Sequence, residues 1–194
     1  MAYQVAQSRC EYDGTVIRVR VDTVELPGGP ADREVVEHAD SVAVVAVDDG
    51  NRVLMIRQYR HPARQFLWEL PAGLRDQPGE QPLETARREL AEETGLTAER
   101  WSTLVDLRPS PGVSTEIVRV YLAGQIKADD RAGAPEGEER DLQSRWILLS
   151  DALAEVFAGV ITNGLAVAGL LAAGARFGLI GGQSRPAEAP WPDS

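Results

Sequence analysis

WELPAGLRDQPGEQPLETARRELAEETGL, Trp68 to Leu96, is the stretch on which the fold turns. A strand-like opening runs into a Pro/Gly loop, and the loop runs into a segment with helical spacing. Pro82 suits a first helical turn and Gly95 a C-terminal cap, so a helix is predicted between them. Residues three and four apart share a helix face, which places Glu89, Glu92 and Glu93 on one side and Leu83, Ala86 and Leu90 on another. Like charges at that spacing repel by roughly 0.2–0.5 kcal/mol per pair, and no lysine is interleaved. A divalent cation would remove the conflict. A solvated acidic face is the competing reading of the glutamates alone, so the flanking residues must decide.

Working outward, SVAVVAV from Ser41 is an apolar run suited to a central strand, and RVLMIRQYR, after the turn DDGN, is expected to be its hairpin partner. FLWELPAG reads as one further strand leading into the loop. WSTLVDLRPSPG, EIVRVYLAGQI and SRWILLS supply three more. Upstream, TVIRVRVDTVEL alternates as a half-buried strand should, PGGP turns the chain, and REVVEH returns as a second strand. Two closing helices are expected, DALAEVFAGV capped by Ser150 or Asp151 and NGLAVAGLLAAGARF capped by Asn163. Strands first, one helix in mid-chain and helices last is an α+β order. The expected domains are an N-terminal β-element over residues 1–38, a main domain over 39–181 and a flexible tail over 182–194.

The chain has 194 residues, enough for one sizeable core. Its formal net charge of −10 argues against nucleic acid or an anionic membrane surface as partner. An anionic substrate would need metal ions and placed arginines to overcome that field. One cysteine, Cys10, cannot form an internal disulfide, which favours a reducing, cytoplasmic compartment; it reads as a bystander near a mobile terminus. The opening lacks the pattern of a signal peptide. The apolar stretch Gly164 to Gly182 is glycine-rich and contains Arg176, so a buried terminal helix is expected rather than a membrane span.

The central stretch resembles the Nudix box, the signature of the Nudix hydrolases: a glycine, five residues, a glutamate, seven residues, then R-E-U-x-E-E-x-G-U with U aliphatic. Gly73, Glu80, Arg88, Glu89, Leu90, Glu92, Glu93, Gly95 and Leu96 take those places. The one departure is that six residues, not five, separate Gly73 from Glu80, and the extra one lies in the loop LRDQPG. IRQYRH, WELPAG and PSPGVSTE resemble the ADP-ribose pyrophosphatase branch. The resemblance implies an α/β/α sandwich with a mixed sheet, plus a small N-terminal antiparallel sheet. It implies hydrolysis of ADP-ribose to AMP and ribose 5-phosphate by water attack on the diphosphate. Another nucleoside diphosphate sugar or a dinucleotide is the alternative substrate, and a non-catalytic ADP-ribose-binding module a further one.

The same resemblance assigns residues. Glu89 and Glu93 would ligate Mg²⁺ or Mn²⁺, with Glu92 supporting the cluster, the carbonyl of Ala72 as a further ligand and Arg88 orienting a glutamate. Arg57 and Arg60 are candidates for the phosphates, since guanidinium forks match phosphate oxygens. Arg33 and Glu34 resemble the segment that meets the adenine end. Glu69 would bond a sugar hydroxyl or brace the arginines, and Trp68 reads as core. In the acidic loop EGEERD, Glu139 is favoured as base or metal-linked carboxylate, with Glu138 as runner-up. Homodimers that exchange N-terminal sheets are common in the branch, so a homodimer is expected.

Overall fold

The computed structural model describes residues 3–129 and 142–179. Ten strands and three helices follow in order: β1 (Val5–Asp13), β2 (Ile17–Leu26), β3 (Gly29–His38), β4 (Ser41–Ala46), β5 (Arg52–Arg60), β6 (Gln65–Glu69), β7 (Ala72–Leu74), α1 (Pro82–Thr94), β8 (Leu96–Leu107), β9 (Val118–Ala128), β10 (Gln143–Leu148), α2 (Leu149–Ala158) and α3 (Gly164–Arg176). They form three sheets, ordered β1-β2-β3, β10-β5-β6 and β7-β4-β9-β8.

Strand β4 is the centre, and all six of its residues are buried. Because side chains alternate across a strand, an unbroken apolar run feeds two faces at once. Val42, Val44 and Ala46 pack with Ala86 and Leu90 of α1. Ala43, Val45 and Val47 pack with Leu149, Leu153, Leu170 and Ala173 of α2 and α3. The sheet is mixed, since β4 runs parallel to β9 and antiparallel to β7. The result is the α/β/α sandwich expected of the sequence.

Three local expectations are corrected, and one strand is added. Strand β5 is not the hairpin partner of β4: apart from a bridge between Val47 and Val53, it lies between β10 and β6. Both edges of β4 are already taken by β7 and β9, which leaves no free ladder for it. FLWELPAG is two strands in two sheets, divided at Leu70 and Pro71, where the Pro71 carbonyl accepts from Val44 N at 2.8 Å. Helix α2 begins at Leu149, with Leu148 at its cap in place of the expected Ser150 or Asp151 and no side-chain cap bond. Strand β1 carried no periodic signal, because all nine of its residues are exposed and its hydrophobicity therefore had no face to mark. Cys10 is an exposed residue of that strand.

Helix α3 is capped by Asn163 as expected, its side chain accepting from Ala166 N at 2.9 Å. No described helix is long and apolar enough to cross a membrane. The N-terminal sheet is joined to the rest through β3: Val36 N donates to Val113 O at 2.7 Å, and Thr115 N donates to Val36 O at 3.1 Å. The joining segment is PSPGVSTE, so these residues tie the two sheets together.

Gly169 sets how closely α3 lies on the sheet. A Cβ there would stand 2.7 Å from Leu70 Cδ1 and 3.2 Å from Val45 Cγ2. Gly169→Val is therefore expected to lift α3 and destabilise the fold by about 1–3 kcal/mol, read as a lower urea midpoint with an unchanged m-value.

Candidate active site

The site is assembled where β6, β7 and α1 meet. In the β5–β6 ladder Ile56 faces Glu69 and Arg60 faces Gln65, so Gln58, Arg60 and Glu69 share one side. Glu69 is only 2% exposed. Its carboxylate accepts from Arg60 Nε at 3.0 Å and from Arg60 Nη2 at 2.7 Å. Burying a carboxylate is costly unless it is paired, and this charge-assisted fork supplies the pair. Of the two roles expected of Glu69, the structure shows the brace.

Strand alternation places Arg57 on the other side. Its guanidinium lies 5.4 Å from the Phe66 ring centroid and 5.8 Å from that of Trp68. Arg57 is thus separated from the Arg60–Glu69 pair that it was expected to join at the phosphates. Trp68 packs against the core and is covered by Arg145, whose guanidinium carbon lies 3.9 Å from the ring centroid.

Helix α1 crosses β7 and lays two glutamates on it. Ala72 N donates to Glu93 Oε2 at 3.0 Å, which brings the Ala72 residue to the Glu93 carboxyl. Desolvation pushes the Glu93 carboxyl up to about 8; the Ala72 amide opposes the shift, and the charge of Glu89 adds to it. Arg60 and Glu69 also act on it, with opposite signs. Burial likewise raises Glu89 above the usual carboxylate range. The Glu89 carboxyl lies against Gly73, where a Cβ would overlap it. The box glycine is therefore a matter of space: only a residue without a side chain lets that carboxyl reach the strand.

Arg88 holds the rest together. Its Nε donates to Glu80 Oε1 at 3.1 Å and Nη2 to Glu80 Oε2 at 3.2 Å. Its Nη1 donates to Glu89 Oε1 at 2.7 Å and to Glu92 Oε2 at 2.9 Å. Arg88 keeps the Glu80 carboxyl below its ordinary range. The three helix glutamates consequently do not act as one face. Positions 92 and 93 are about 100° apart around a helix, so Glu93 meets β7 while Glu92, with a side chain 47% exposed, turns to Arg88.

The donor chemistry fits a hard divalent cation. Two carboxyl groups rest on adjacent residues of β7, and the burial that raises both above the usual range is offset when a cation binds between them. Glu89, Glu93 and the Ala72 carbonyl would hold it. Among the described residues no three His, Cys, Asp or Glu side chains converge on one point, so this helix and strand contribute a partial shell. Glu138 and Glu139 lie outside the described residues. Arg33 and Glu34 are exposed on β3, where Arg33 donates to the carbonyl of Asp32 at 2.9 Å. Thr85, buried and bonded to Glu80 at 2.9 Å, went unnoticed in the sequence; a hydroxyl within an otherwise apolar buried row was its one signal.

A mixed sheet between helices, with one helix presenting carboxylates to a glycine-bearing strand, defines an α/β/α sandwich whose carboxylates are chemically suited to a divalent cation. A profile of the NUDIX domain matches residues 37–163. The chain is 44% identical over 195 residues to the ADP-ribose pyrophosphatase of Mycobacterium tuberculosis, covering 98% of this chain and 92% of that protein. It is 40% identical over 143 residues to the ADP-ribose pyrophosphatase of Bacillus subtilis, covering 73% and 76% respectively. A solved structure described as an ADP compounds hydrolase superposes with a TM-score of 0.76 at 20% identity, covering 93% of this chain and 98% of that one. The chain belongs to the Nudix family of hydrolases.

Two expectations follow from the geometry. Gly73→Ala displaces the Glu89 carboxyl, so divalent-ion affinity measured by calorimetry should fall at least tenfold, about 1.4 kcal/mol, while the melting temperature changes little. The raised Glu93 pKa also has a definite sign. Between about 4.5, its ordinary value, and about 8 the folded state holds the extra proton, so stability falls as pH rises through that window. In chelator, the stability gain of Glu93→Gln over the parent should therefore grow from pH 5 to pH 8, measured as a difference in urea midpoints.

Proposed function

We propose that this chain hydrolyses the diphosphate of ADP-ribose to AMP and ribose 5-phosphate. The observation that carries the reading is the meeting of the α1 carboxylates with the Arg60–Glu69 pair, in a chain that shares nearly its full length with an ADP-ribose pyrophosphatase. Mg²⁺ is the proposed ion, with Mn²⁺ as substitute, held by Glu89, Glu93 and the Ala72 carbonyl, with Glu92 supporting the cluster. When bound it withdraws charge from the phosphates and acidifies water.

The chain's own groups do the rest. Arg88 fixes Glu89, and Gly73 leaves room for its carboxyl. Arg60, oriented by Glu69, sets a guanidinium beside the site, a group whose geometry suits phosphate oxygens. Glu139, or Glu138 in its place, takes the proton from the attacking water. The water oxygen bonds to phosphorus as the bridging oxygen leaves, and the two monophosphates separate.

Residues 1–38 form an N-terminal element that we assign to a homodimer, exchanged or packed across it, with residues 39–181 as the Nudix domain; the tail expected over 182–194 lies outside the described residues. The exposure of β1 and of Arg33 and Glu34 supports that assignment, in which the last two would meet adenosine in the partner's site. The lone exposed cysteine fits a reducing, cytoplasmic setting.

With Mg²⁺ the protein should release AMP and ribose 5-phosphate from ADP-ribose, followed by chromatography, and Glu93→Gln should lower kcat by about a thousandfold or more while the chain stays folded. Release of pyrophosphate from nucleoside triphosphates, or a tenfold preference for ADP-glucose or GDP-mannose, would overturn the substrate assignment.

A further inference from the structure

Glu80 is reached through a loop one residue longer than the box pattern allows, yet its carboxylate sits squarely on Arg88. The loop does little to put it there: its backbone contact is Glu80 N to Gln77 O at 3.2 Å, after Gly79 turns the chain with φ +80°. The hold comes from the other side. Thr85, fully buried in the first turns of α1, donates from Oγ1 to Glu80 Oε2 at 2.9 Å. The same oxygen accepts from Arg88 Nη2 at 3.2 Å. Glu80 is therefore gripped at two points by the helix that follows it, and Arg88 carries that placement on to Glu89 and Glu92 through Nη1.

We infer that Thr85 is a positioning residue for the cation site: it anchors Glu80 to α1, and through Glu80 and Arg88 it fixes the Glu89 carboxylate, so that the register of the site is set by the helix and not by loop length. Gln81 O at 3.4 Å is the hydroxyl's other neighbour, a longer and weaker contact in the first helical turn. A valine at 85 keeps the shape and burial but gives Glu80 no proton. A serine keeps the proton and loses only a methyl group. The inference rests on the proposed cation site.

The test is a titration of the purified, substrate-free chain with Mn²⁺ alone, followed by calorimetry and by the electron paramagnetic resonance of free Mn²⁺. Thr85→Val should weaken Mn²⁺ binding about five- to tenfold, since only part of the worth of one hydrogen bond to a charged group reaches the site through Glu80 and Arg88, and Thr85→Ser should bind within twofold of the parent. In a Glu80→Gln background the valine change should add nothing further, because the two residues act as one unit. Equal Mn²⁺ affinity for Thr85→Val and the parent, or equal weakening by serine and valine, overturns the inference alone. Failure of the parent to bind Mn²⁺ overturns the cation site and the inference with it. If Thr85→Val does not fold, the comparison of Thr85→Ala with Thr85→Ser decides in the same way.

Discussion

One guanidinium bonded to three carboxylates is the constraint on which the site depends. Glu80 of the loop and Glu89 and Glu92 of α1 would repel one another at this spacing, and Arg88 converts that repulsion into directional, charge-assisted bonds. The planar fork matters here, because it serves Glu80 through one edge while its remaining nitrogen serves two helix glutamates. A lysine, with a compact charge on a flexible stem, could match the charge but not the geometry.

Glu93 stands outside that arrangement. Its carboxyl accepts from the main-chain amide of Ala72, and it remains partly buried beside another carboxylate. The fold thus keeps one carboxyl in a state that water would not favour, at a cost to stability above mildly acidic pH. Strained electrostatics of this kind gather at sites that bind charge, because the ligand supplies what the protein lacks. The Arg60–Glu69 pair borders the same place and is internally balanced, so it shapes the field without neutralising the glutamates.

Much of the fold was legible because a few segments carry unambiguous periodicity. SVAVVAV could only be a strand covered on both faces, and the structure covers it with α1 on one and with α2 and α3 on the other. Pro82, Gly95 and Asn163 marked helix ends for local chemical reasons that tertiary contacts did not override. The failures share a different cause. Strand β1 has no buried side, so nothing in its residues distinguishes it from a loop. The pairing of β5 depended on which ladder β4 had left open, a fact located in β7 and β9. The break at Leu70 and Pro71 followed from two sheets competing for one run of residues.

The sequence by itself determined which residues are gathered at α1, because carboxylates at helical spacing, an arginine among them and a glycine ahead of the helix are all legible along the chain. Tertiary structure alone decided what each of those residues touches. Helical rotation separated Glu92 from Glu93, strand alternation separated Arg57 from Arg60, and the packing of α1 on β7 made Gly73 a question of space rather than of flexibility. Spacing along a chain fixes angles about one element's axis, whereas contacts depend on where a second element lies, and that is settled only when the core closes.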